Sequence, residues 1–356
     1  MKQITRRHFL HGLAALGAWA AIAGCAPKPE ASPIAEQAAE SPRPLPETEA
    51  PTALPGSPSP VPAATSTLPP ASPVPPTKVQ PASPVPSEAA YLAVARGAGP
   101  EQITMRAIAA IGGIERFVKR GYDVVIKPNI CNANHGPEYA STTNPEVVAT
   151  LVKLCLGAGA KRVRVMDYPF AGTAPSAYVR SGIQEAVKKA GGEMELMAAM
   201  RFVKTNIPQG LDIKSWPIYQ PILEANLVIN VPIAKDHGLA RLTLAGKNLM
   251  GVVEDRPQIH RNLGQRLADL ASVVKPQLTV IDAVRILLAN GPTGGNLNDV
   301  KQTNTVIATH DMVAADAYAT SLFGMTPEDI SYIVASAKMG LGTMDLKSIK
   351  IAELNV

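Results

Sequence analysis

Nineteen of the chain's 33 prolines fall between Pro27 and Pro86, and that density decides where folding can take place. Proline fixes φ and removes a backbone donor, so residues 25–88 can build neither a sustained helix nor a paired strand. Ala, Ser, Thr and Glu fill the gaps, with Ala-Ser-Pro-Val-Pro at 71–75 and again at 82–86. We expect a disordered linker, extended and partly polyproline II in character, reaching on the order of 100–200 Å. Core formation is left to residues 89–356. That length suits one large α/β domain or two lobes with a break near 193–220.

The segment ahead of the linker reads as an export leader over residues 1–24. Thr5-Arg6-Arg7-His8-Phe9-Leu10 resembles a twin-arginine signal, and an alanine-rich apolar run follows from Leu13 to Ala23. That run has signal-peptide length and is too short to span a bilayer. It closes on Ile22-Ala23-Gly24-Cys25, which resembles a lipoprotein processing box. The expected mature N-terminus is therefore Cys25, lipidated and holding the protein to the outer face of the cytoplasmic membrane or to the cell envelope.

Composition removes several function classes. Three cysteines and no Cys-x-x-Cys exclude a disulfide scaffold, and no iron–sulfur cluster is expected from the chain's own thiols. The formal charge is +5, but Lys2, Arg6 and Arg7 lie in the leader, which leaves +2 without it. Together with 4% aromatics, this gives no footprint for a nucleic-acid partner.

From Asp123 onward, short apolar runs alternate with segments of helical period. Strands are expected at 123–127, 163–166, 226–230, 278–282, 305–309 and 348–354. Helices are expected at 145–156, 177–190, 263–274, 312–323 and 327–338. Asn144-Pro145-Glu146 supplies a cap, a first-turn proline and an early acid for the first of these helices. The predicted class is α/β, a mostly parallel sheet with helices on both faces. Ligands of such sheets sit outside the carboxyl ends of the strands. Those ends carry Lys127 and Asn129, Asp167, Asn230 followed by Lys235 and His237, Asp282, and His310 with Asp311.

The segments "VVIKPN" (124–129), "TTNPEVV" (142–148), "INVPIAKDH" (229–237), "GKNLMGVV" (246–253), "TVIDAV" (279–284), "GPTGG" (291–295) and "DMVAADA" (311–317) resemble the family catalogued as domain of unknown function 362. The likeness covers nearly all of 91–354 and implies no settled reaction. Many members carry a ferredoxin module, whose cysteines are missing from this sequence, and the family's usual Lys-Thr-His is here Lys235-Asp236-His237.

Two chemistries compete for the polar strand ends. A divalent metal would draw on His237, His260, Asp282 and Asp316, a mixed imidazole–carboxylate set. Asp311 reads better as the cap of the helix from Met312. An anionic ligand would instead use Lys127, Asn129, Lys235, Arg241, Lys247 and Asn248, with Asp167 nearby and the turn glycines Gly294 and Gly295 offering backbone N–H groups. Lys235, His237, Lys247, Asn248 and Asp282 are the candidate catalytic groups. A Cys131–His135 pair is conceivable, and Cys155 belongs in the core. The expected function is binding of a small polar or anionic molecule, either by a metal-assisted or redox enzyme or by a non-catalytic cell-surface binding protein.

Overall fold

The computed structural model describes residues 88–356; the expected leader, Cys25 and the linker up to residue 87 lie outside them. The strands are β1 (Leu92–Arg96), β2 (Asp123–Pro128), β3 (Arg162–Val165), β4 (Glu193–Met194), β5 (Phe202–Asn206), β6 (Ser215–Tyr219), β7 (Leu227–Val231), β8 (Ile233–His237), β9 (Arg241–Thr243), β10 (Leu278–Leu287), β11 (Val300–Thr309) and β12 (Ile351–Asn355). The helices are α1 (Pro100–Ala110), α2 (Pro145–Gly157), α3 (Ala174–Arg180), α4 (Ile183–Lys189), α5 (Gln220–Glu224), α6 (Ala245–Asn248), α7 (Arg256–Ile259), α8 (Leu263–Val274), α9 (Met312–Ala319) and α10 (Ser331–Lys338).

The main sheet runs β12-β1-β11-β10-β7-β2-β3-β4, with β8 on β10 and β9 on β8. The β10-β7-β2-β3-β4 half is parallel throughout. On the other side β11 runs antiparallel to both β10 and β1. The class is therefore the expected one, a mostly parallel α/β sheet. Alternation along each strand divides two cores. Val125, Val228 and Ile281 face α8, α9 and α10 through Leu267, Leu270, Val313 and Ile333. Val124, Ile126, Ile229 and Val280 face α1, α2 and α4 through Ile108, Leu151 and Val187. A period of two on strands buried on both sides gives this three-layer arrangement directly.

Local signals explain most boundaries. The side chain of Asn144 accepts from Glu146 N at 2.9 Å and caps α2, and Asp311 accepts from Val313 N and Ala314 N at 2.8 and 2.9 Å and caps α9. The helix expected over 177–190 is two helices, α3 and α4, because Gly182 sits at φ +73° between them. Segment 193–220 carries the separate β5–β6 hairpin, whose Ile218 and Tyr219 are buried in the core shared with α8 and α9.

The parallel half has one switch point. From β2 the chain moves outward through β3 and β4, then returns to place β7 on the other flank of β2. A crevice opens where the connections diverge, at the carboxyl ends of β2 and β7.

Candidate functional site: a cationic cleft at the switch point

A cavity of about 410 Å³ occupies that crevice. Lys127, Asn129, Cys131, Asp167, Tyr168, Lys235, His237, Lys247, Asn248, Arg256, His260 and Pro292 are among its lining groups. Three lysines, an arginine and two histidines thus face one space that holds a single carboxylate.

The floor is a continuous buried polar network. Lys127, at the end of β2, pairs with Asp167 Oδ1 at 2.8 Å and donates to Asn248 Oδ1 at 2.8 Å and to the Pro128 carbonyl at 3.0 Å. Asp167, just past β3, accepts from Ile130 N through its other oxygen at 2.5 Å. Asn129 links the halves, donating to Asn248 Oδ1 and accepting from Lys235 Nζ, each at 3.0 Å. Lys235 also donates to the carbonyls of Ser141 and Pro292, at 2.6 and 3.0 Å, and approaches Cys131 Sγ at 3.2 Å. Burial pushes the Lys127 ammonium below its ordinary range, and the Asp167 charge works against that fall. The backbone at Gly251 lies against this pair so closely that a Cβ there would overlap both Asp167 Oδ1 and Lys127 Nζ.

The wall comes from α6, a four-residue turn carrying Lys247 and Asn248. Asp316 fixes it, accepting from Ala245 N at 2.7 Å and Gly246 N at 2.8 Å. Burial holds the Asp316 carboxyl up at about 7 despite those two donors. Lys247 is 9% exposed. Unlike those of the other two cleft lysines, its ammonium has no hydrogen-bond or ion-pair partner within the described residues. Burial, then the charges of Lys235 and Arg256, bring its ammonium down to about 7.

His237 stands at the end of β8. Its Nδ1 accepts from Leu239 N and Ala240 N at 3.1 and 3.2 Å, so the proton of the neutral ring resides on Nε2. Burial and the neighbouring cations Lys247 and Lys235 hold its pKa down at about 3, which keeps the ring neutral. His260 is lowered for the same reasons, burial first and then Lys247. Arg256, absent from the sequence expectations, donates to the carbonyls of Tyr168 and Pro169 at 2.7 and 3.0 Å. Its guanidinium lies 4.7 Å from the Tyr168 ring centroid.

Several expected residues lie elsewhere. Asp282 is in the middle of β10, which continues to Leu287. Its oxygens accept from Asn144 N at 2.7 Å and Val284 N at 2.9 Å, so it anchors the start of α2 and does not line the cleft. Burial raises its carboxyl to about 6. Asp316 is likewise a support behind α6. With His237 and His260 these two aspartates do not converge, and among the described residues no group of three or more His, Cys, Asp or Glu is placed to hold a metal ion.

Gly294 and Gly295 are also displaced, packing near Leu287 and His135; their turn reaches the cleft through the Pro292 carbonyl instead. Arg241 pairs with Asp329 at 2.8 Å on the surface. His310 and Asp311 fall on the opposite rim because β11 runs antiparallel to β10. His135 stacks on Tyr139 and not on Cys131. The departure at Asp236 has a local role, since its Oδ2 accepts from Gly291 N at 2.8 Å and holds the loop that presents Pro292.

The family model described as "Domain of unknown function (DUF362)" matches residues 124–321, more than half of the chain. The chain belongs to that family. The span matched to DUF362 contains every lining residue of the cleft, from Lys127 to Pro292. Among curated proteins, a thylakoid-associated protein of Synechocystis sp. is 28% identical over 246 residues, covering 65% of this chain and 72% of that protein. Among solved structures, the lactate racemase apoprotein of Thermoanaerobacterium thermosaccharolyticum aligns with a TM-score of 0.41 and 12% identity. That alignment covers 64% of this chain and 56% of the racemase chain.

Proposed function

We propose that this DUF362 protein binds a small anionic organic ligand in the switch-point cleft, and that the body works outside the cytoplasmic membrane on a lipidated stalk. One observation carries the ligand reading: Lys127, Lys235, Lys247 and Arg256 face one cavity against the single carboxylate of Asp167. In a half-enclosed site that excess of positive charge is costly until an anion enters. A volume of about 410 Å³ suits a small molecule. Amide, imidazole and hydroxyl groups around the cations suit a ligand that also carries neutral polar atoms.

Calorimetric titration with pyruvate and with inorganic phosphate tests this reading. We expect saturable binding of at least one of the two anions, weakened about tenfold or more by Arg256→Gln, a loss of roughly 1.4 kcal/mol. Absence of heat, together with an unchanged melting temperature at saturating anion, would remove the anion reading.

The stalk and anchor rest on the paired arginines, the alanine-rich run and Cys25. The Synechocystis relative is named for its association with thylakoids, which agrees with a membrane setting. Replacing Cys25 by Ser is expected to move the protein from the membrane fraction to the soluble one on cell fractionation. Retention of the variant in the membrane fraction would exclude the lipid anchor.

A further inference from the structure

We infer that Lys247 is a nucleophilic amine that forms an imine with a small 2-oxo acid held in the cleft. This rests on the anion-binding reading of the same site and adds a substrate class and a covalent step to it.

The three cleft lysines are not equivalent. Lys127 is held by Asp167, Asn248 and a carbonyl, and Lys235 by Asn129, Cys131 and two carbonyls. Both are fixed cations with every donor engaged. Lys247 is more than nine-tenths buried and lines the same cavity, and its ammonium meets no partner among the described residues. Its backbone is nevertheless fixed, because Asp316 ties both residues that precede it. A rigidly mounted, unpaired lysine wedged among other cations is the arrangement that activates an amine for attack on a carbonyl.

The groups around it select the electrophile. Lys235, Lys127 and Arg256 supply positive charge for a carboxylate, and Cys131, His260 and His237 complete the titratable groups that act on Lys247 or are acted on by it. The carboxylate fixes one end of the ligand, so the amine meets an electrophilic carbon beside it. A ketone or aldehyde adjacent to a carboxylate meets that description. The Nε2–H of His237 is free to donate to the carbonyl oxygen and polarise it, because Nδ1 is committed to two backbone donors.

The step balances without a redox partner. The Nζ lone pair adds to the carbonyl carbon to form a C–N bond, and the carbonyl C–O bond then breaks. The oxygen departs as water with the two Nζ protons, leaving a C=N bond. Neutral Lys247 is available for this at ordinary pH, since its pKa is about 7.

The test uses the full-length chain, pyruvate and sodium borohydride, with peptide mass mapping of the reduced adduct and calorimetry on the same preparation. At pH 7 an ordinary surface lysine is less than about one part in a thousand unprotonated. Label on Lys247 should therefore exceed that on any other lysine by on the order of a hundredfold. It should vanish in Lys247→Arg, while propionate, which lacks the carbonyl, leaves no label. Pyruvate binding by calorimetry without label on Lys247, or with label spread evenly over surface lysines, would overturn the imine and leave the anion site standing. Neither binding nor label would remove both.

Discussion

Lys247→Met should stabilise the protein at pH 7 by about 2–4 kcal/mol while destroying its capacity for imine formation. Burial and three neighbouring cations bring the Lys247 ammonium to about 7 in the folded protein. In the unfolded chain it titrates near 10.4, so folding at pH 7 costs the difference. The sign follows from proton counting. Between about pH 7 and 10.4 the unfolded chain holds a proton that the folded one has shed, so the wild-type contribution becomes more favourable as pH rises. Methionine has similar length and no charge, which removes the slope. Urea denaturation at several pH values checks this: the variant's advantage should be largest at pH 7 and shrink to about 1 kcal/mol near pH 9.5. The comparison is read from pH 7 upward, because Lys247 is also one of the charges that lowers His237 and His260, and its removal eases protonation of both imidazoles at lower pH. An advantage that did not change with pH would refute the account of Lys247 as a strained cation.

The opposite outcome is expected one residue pair away. Lys127→Met should destabilise the protein by about 3–5 kcal/mol, because it leaves the Asp167 carboxylate buried without its cation. Asp167 would retain only the Ile130 amide on its other oxygen. Asp167→Asn should cost distinctly less. Lys127 keeps Asn248 Oδ1 and the Pro128 carbonyl, and an amide oxygen can replace the lost acceptor. The double variant should recover part of the Lys127→Met loss, so a double-mutant cycle should return a coupling of about 1–3 kcal/mol. Strict additivity would show that the two groups do not act as a pair. The contrast between Lys127 and Lys247 separates a cation that organises the fold from one that the fold tolerates for the sake of its chemistry.

Local patterns carried much of the architecture. α8 spans residues 263–274 as its periodicity requires, and α2 starts where Asn144 and Pro145 direct it. Strands β2, β3, β7 and β10 were legible as apolar runs ended by proline or polar residues. Strand direction was not legible. Periodicity carries no sign of parallel or antiparallel pairing, so the reversal of β11 sent His310 and Asp311 to the far rim. Asp282 failed for a related reason: a bulge between Ala283 and Arg285 carries β10 onward, leaving the carboxylate below the rim. Arg256 was missed because it lies outside any strand end. Asp255 at φ +50° turns the chain there, and the strand-end rule reaches only two of the four cleft cations, Lys127 and Lys235; Lys247 stands out instead by its place between Gly246 and Gly251. The stacking against Tyr168 that holds Arg256 is a long-range contact with no local trace.

The switch-point geometry bears on how a bound molecule would be felt through the body. The cleft draws its groups from the tip of β2, the start of the chain beyond β3 and the stretch from Lys235 to His260. These meet only after strands far apart in the chain have paired, so binding is thermodynamically linked to completion of the sheet. A seated guest would slow amide hydrogen exchange along β2, β3 and β7 together, by mass action on the whole cooperative unit and not by local shielding of a loop.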